Sequence, residues 1–226
     1  MTQRHGVPTG IARLLVYGGT FDPPHRAHLE LAGIARESLG VQWLLFAPAA
    51  RSPHRDTGPV APLEARARML EAALPDAACS VTRVEQELAD ACGGDGSVRT
   101  VDLLTRLRAD LGSATAMRLL IGADQAVAFH RWARPDEVIG FAEPAVLLRA
   151  PWDTPDRLID ALTPHWPAPE IERWRRRIVE APVVEVSATP VRAALRAGRT
   201  DDPVVAAALP ETVRALIRAG GWYTPA

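Results

Sequence analysis

Apolar positions along the chain follow two periods. Short unbroken runs near 12–17, 41–46, 80–84, 117–121, 145–148 and 182–186 put apolar side chains on both faces, as strands covered on both sides require. Between them apolar residues recur at helical spacing: Leu29, Leu31, Ala32, Ile34 and Ala35 after His25, and Val101, Leu104, Leu107 and Leu111 within 97–111. Further helices are predicted over 62–74, with Pro62 at the start, over 154–163, 168–180, 189–197 and 210–219, and after the strand at 117–121. Gly40 suits the end of the first helix. Strands alternating with helices predict an α/β fold: a doubly wound, mainly parallel sheet with right-handed crossovers and a small C-terminal helical part. Ligands of such sheets bind beyond the carboxyl ends of the strands, where the strand order reverses. One domain over residues 1–226 is expected, with an α/β core at 10–186 and a C-terminal turn and helices at 187–226.

Composition narrows the chemistry more than the fold. Net charge is −1, which gives no reason to expect nucleic acid as a partner. No apolar run approaches about 18 residues and no signal peptide is read, so no membrane span is expected and a cytoplasmic location is. Cys79 and Cys92 have no metal-ligand spacing and read as reduced thiols. All 26 basic residues are arginine. A phosphate site here must therefore use arginine, histidine and backbone amides, and lysine-based nucleotide sites are excluded.

The candidate anion site is Gly18-Gly19-Thr20-Phe21-Asp22-Pro23-Pro24-His25-Arg26-Ala27-His28, where a strand runs through a glycine turn into a helix. Glycines let the backbone approach phosphate, and the helix N-terminus attracts it. His25 and His28, three residues apart, fall on one helix face. A second candidate is Ser187-Ala188-Thr189-Pro190-Val191-Arg192, a capping turn with an arginine. Arg55, in Ser52-Pro53-His54-Arg55, offers a third cation. Gly122-Ala123-Asp124 ends a strand ahead of Trp132, and Arg149 ends the next. The run 172–177 is basic and reads as a solvated helix face.

These motifs, in this order, resemble those of the nucleotidyltransferase superfamily with the HxGH signature, with Ala27 where the family has glycine and Ala188 where it has serine. The Gly122/Asp124/Trp132 pattern and Val98-Arg99-Thr100-Val101-Asp102-Leu103 are similar to the nicotinate-nucleotide adenylyltransferase branch. The resemblance implies a Rossmann-like enzyme that transfers AMP from ATP to nicotinate mononucleotide and releases pyrophosphate, with Mg²⁺. It assigns catalysis to His25, His28 and Arg192, and ATP binding to Gly18, Gly19, Thr20, Phe21, Arg55, Gly122, Asp124, Ser187 and Thr189 as well. Arg99, Thr100, Asp124, Trp132 and Arg149 would take the mononucleotide, and Asp22 or Asp124 would lie near the metal. Arg99 either pairs with the substrate carboxylate or faces solvent. Nicotinamide mononucleotide and phosphopantetheine are the alternative acceptors, and a nucleotide-binding regulator on the same fold is the non-enzyme alternative.

Overall fold

The computed structural model describes residues 5–50, 60–93, 98–184 and 188–223. Five strands, β1 (Arg13–Gly19), β2 (Trp43–Pro48), β3 (Cys79–Val81), β4 (Ala116–Gly122) and β5 (Ala142–Leu147), form one sheet in the order β3-β2-β1-β4-β5. Every pairing is parallel. β1 takes the centre because its side chains are apolar on both faces; Leu14, Leu15 and Val16 are wholly buried. Tyr17 lies opposite Phe46 of β2 and Leu120 of β4, so the three strands end together.

The helices are α1 (Arg26–Ser38), α2 (Leu63–Glu71), α3 (Val84–Ala91), α4 (Thr100–Leu111), α5 (Ala123–Ala128), α6 (Pro135–Phe141), α7 (Pro155–Leu162), α8 (Ala168–Arg176), α9 (Ala188–Arg196), α10 (Pro203–Ala208) and α11 (Glu211–Gly220). Alternation along the strands sends Leu14, Val16, Leu45 and Ile121 to one core with Leu104, Phe129 and Trp174. It sends Leu15, Phe46 and Leu120 to the other with Phe21, Leu29 and Leu70. Each such side chain contributes about 2 kcal/mol on burial. A third core joins Ala65 and Met69 of α2 to Val191, Leu195, Val213 and Ile217 of the C-terminal helices. That packing brings the end of the chain back to the sheet's carboxyl edge. The strand order reverses between β1 and β4, so the crevice between their following loops is where a ligand fits.

Three expectations need correction. No strand includes residues 182–184, and residues 185–187 lie outside the described structure. The chain touches β5 earlier, through a single parallel bridge at Ile178, because Pro182 has no N–H to extend the ladder. Residues 84–91 form α3, where no helix was expected and residue 84 was read as the end of a strand. The run 172–177 is not wholly solvated: Arg177 is buried, its guanidinium lies 4.7 Å from the ring of buried Trp174, and it pairs with Glu170 at 2.6 Å.

Candidate active site

The turn after β1 is fixed by sterics. A Cβ on Gly19 would stand 2.9 Å from the Phe21 ring, so only glycine fits there. Phe21 has φ of 47°, an unusual value for a bulky residue, and is held by burial of its ring edge-on to Tyr17 and His28 at centroid distances of 5.2 and 5.1 Å. Phe21, expected at the nucleotide, is thus the apolar floor beneath His28.

His25 is the N-cap of α1, and the two histidines cap each other. The His28 amide donates to His25 Nδ1 at 3.3 Å, and the His25 amide donates to His28 Nδ1 at 3.2 Å. Their rings stack at 3.5 Å, 14° from parallel. An Nδ1 that accepts carries no proton, so each neutral ring holds its proton on Nε2 as a ready donor. Burial pulls the His25 pKa down to about 4, with the Arg149 charge adding to the effect. Burial also lowers His28 well below the usual value, helped by His25 and Arg149. Both imidazoles are therefore neutral donors near pH 7 until an anion arrives.

Asp22 is tied to segments far away in sequence. Its Oδ2 accepts from the Val60 amide at 2.9 Å, and its Oδ1 accepts from the Ala61 amide at 3.1 Å and the Tyr223 hydroxyl at 2.6 Å. The Asp22 carbonyl accepts from Arg192 Nη1 at 2.9 Å, and Thr189 Oγ1 from Arg192 Nη2 at 3.4 Å. The turn bearing Thr189 and Arg192 thus reaches the histidine turn. Asp22, expected near the metal, is buried with both oxygens bonded and acts as a lock between these segments.

Two cavities open here. The smaller, about 90 Å³, is lined by Tyr17, His25, Ala27, His28, Gly122 and Arg149, among others. A Cβ on Gly122 would lie 2.6 Å from Asp124 Oδ1, so any side chain there would displace that carboxylate. Asp124 and Arg149 pair at 3.5 Å with half their side-chain surface exposed. Arg149, expected at the mononucleotide, is therefore beside the histidines. The larger cavity, about 560 Å³, is walled by Gly18, Gly19 and Thr20 on one side and by Arg99, Thr100, Arg131 and Trp132 on the other. Trp132 is backed by Phe129, with centroids 4.6 Å apart and planes 29° from parallel. Gly18, Gly19 and Thr20 thus belong to the larger cavity, across β1 from the histidines expected to share their ligand.

Arg55 and Ser187 lie outside the described residues. Sequence reading missed Glu85, which is buried on the wall of the larger cavity and accepts from the Ala50 amide at 2.9 Å. Burial raises its pKa to about 7. It also missed Arg66, whose only signal was an arginine interrupting the apolar face of α2. Among the described residues no group of three or more His, Cys, Asp or Glu is placed to hold a metal. No described helix is long and apolar enough to cross a membrane.

Known proteins share both sequence and fold with this chain. The family model described as cytidylyltransferase-like matches residues 16–194. A relative from Salinibacter ruber, named a probable nicotinate-nucleotide adenylyltransferase, is 33% identical over 93% of this chain and 97% of its own length. One of the same name from Chromobacterium violaceum is 34% identical over 85% of this chain and 90% of its own. Among solved structures, the Plasmodium falciparum nicotinic acid mononucleotide adenylyltransferase complexed with NaAD superposes with a TM-score of 0.69 at 13% identity. It covers 93% of this chain and 97% of that one, which establishes likeness of fold.

Proposed function

Since the chain belongs to the cytidylyltransferase-like family, and to the nicotinate-nucleotide adenylyltransferases within it, we propose that it transfers AMP from ATP to nicotinate mononucleotide, giving the deamido dinucleotide and pyrophosphate. The observation that carries this reading is the mutually capped histidine pair at the switch point beside a separate, aromatic-walled cavity. One compartment suits a polyphosphate and the other a pyridine nucleotide.

The acceptor's phosphate oxygen attacks the α-phosphorus as the bond to the β-phosphate oxygen breaks. A phosphate monoester has its second pKa near about 6, so the nucleophile is ionised at neutral pH and needs no general base. Catalysis is then positioning and charge stabilisation. His25 and His28 would donate from Nε2 to phosphate oxygens, and bound phosphate would raise the proton affinity that burial now suppresses. Arg192, placed beside the Asp22 carbonyl, supplies a guanidinium at the leaving phosphates. Trp132 offers a ring to the pyridine. Thr100 lies on the wall of the same cavity, and Arg99 beside it offers a cation to the nicotinate carboxylate.

The donor set fits Mg²⁺ held mainly by substrate phosphates and water, because one half-exposed carboxylate, Asp124, is available. The ion would neutralise developing phosphate charge. The chain acts as one nucleotidyltransferase domain, since its C-terminal helices share a core with α2. A cytoplasmic, small-molecule enzyme of pyridine nucleotide synthesis is the setting this chemistry implies.

Pyrophosphate release, measured with ATP and each of nicotinate mononucleotide, nicotinamide mononucleotide and phosphopantetheine, tests the reading. Turnover with the first at ten times the kcat/KM of the others is expected. A tenfold preference for either rival would replace the acceptor, and no release with any would favour a nucleotide-binding regulator.

A further inference from the structure

Arg66 stands on the first turn of α2 with 1% of its surface exposed, in a row with Leu63, Met69 and Leu70. Burial opposes its charge and lowers its pKa. A cation held out of water costs several kcal/mol unless its donors are all met. Here each of its three nitrogens donates to a backbone carbonyl. Nε donates to the Ala61 carbonyl at 2.9 Å, Nη1 to Thr20 at 2.6 Å and Nη2 to Ala49 at 2.8 Å.

The three carbonyls belong to three separate segments. Thr20 is in the glycine turn that leads to His25, Ala49 follows β2, and Ala61 precedes α2. Ala49 and Ala61 stand on either side of the segment that holds Arg55. The backbone of Ala61 is gripped on both sides, its carbonyl by Arg66 and its amide by Asp22. Thr20 and Ala49 are also on the wall of the larger cavity, so what Arg66 fixes is the wall itself. A planar fork reaches three diverging oxygens at once, and no other side chain has that geometry.

We propose that Arg66 is a positioning residue for adenylyl transfer, clamping the glycine turn that leads to His25 to the residue after β2 and the residue before α2, so that the wall of the larger cavity keeps its register with the histidine turn. The assignment rests on the reading of the site given above. Misplacement by about 1 Å at a reacting centre costs on the order of a hundredfold. An arginine needed only for folding would lower the melting temperature and leave the kinetics of the folded enzyme unchanged.

Arg66→Lys and Arg66→Ala are compared with wild type for kcat and for KM of each substrate, with circular dichroism to confirm folding and calorimetric titration of a non-hydrolysable ATP analogue. For folded Arg66→Lys we expect kcat to fall between about tenfold and a hundredfold, with the acceptor KM changed by less than about threefold. Guanidinium ion at millimolar concentration should restore part of the loss in Arg66→Ala, and methylammonium should not. A folded lysine variant with kcat within twofold of wild type overturns the proposal, and decides alone if the alanine variant unfolds. Should wild type bind the analogue yet transfer nothing to nicotinate mononucleotide, the acceptor reading fails separately. Arg66 is then judged on analogue affinity: about a tenfold loss in the lysine variant supports it, and unchanged affinity overturns it.

Discussion

The two cavities on either side of β1 are built in opposite ways. The histidine cleft is small, about 90 Å³, and its polar groups are set by the backbone: two rings caught by each other's amides beside a carboxylate held by two more. The larger cavity, about 560 Å³, is made of side-chain shape, an aromatic wall and two arginines at exposed positions, Arg99 and Arg131. The difference matches the two tasks. Stabilising charge at a reacting phosphorus needs donors that do not move, whereas accepting a mononucleotide needs room and a flat ring. Substitutions of the paired histidines should change kcat, and those of the aromatic wall KM.

His28→Ala should lower kcat by about a hundredfold or more while leaving the acceptor KM within a few fold, as steady-state rates of pyrophosphate release would show. An equal loss through KM alone would dissolve the contrast. Tyr223→Phe removes a donor from buried Asp22 and should cost about 1–3 kcal/mol of stability, read as a lower urea midpoint. Trp132→Ala should raise KM for the mononucleotide by about tenfold and affect kcat less, since ring stacking is worth about 1 kcal/mol beyond area. Arg99→Gln should narrow discrimination between nicotinate and nicotinamide mononucleotides by severalfold if Arg99 meets the carboxylate.

The smallest effect is a slope. The lowered pKa of His25 makes its contribution to stability present above about pH 6.5 and lost as pH falls toward about 4. The raised pKa of Glu85 does the reverse: its contribution is present below about pH 4.5 and lost as pH rises through about 7. Between pH 4.5 and 6.5 the two oppose each other. Glu85→Gln should therefore steepen the rise of stability with pH in that window, by at most about 1.4 kcal/mol per pH unit. Denaturation midpoints across the range would detect it.

The order of elements was legible because parallel strands buried on both faces leave continuous apolar runs, and Leu14, Leu15 and Val16 are such a run. The histidine turn was legible because glycines, a helix start and paired imidazoles are contiguous. Short helices were not. α10 carries its own signals, with Asp202 capping the Val204 amide and Pro203 at the start, yet six residues are too few to show a period. Over the described residues 182–184 the expected strand is absent, because apolar composition does not show that Pro182 has no N–H to give the ladder.

The sequence by itself determined the parallel sheet and the helix that presents His25 and His28, since both depend on neighbours in the chain, and its composition made any phosphate site lysine-free. Only the tertiary structure decided that Asp22 is a lock, that Arg149 sits with the histidines, and that Arg66 binds three loops. The physical reason is that a side chain's role at such positions is set by which distant backbone groups need a partner once water is gone. Asp22 and Tyr223 are 201 residues apart and meet at 2.6 Å, which no local pattern records.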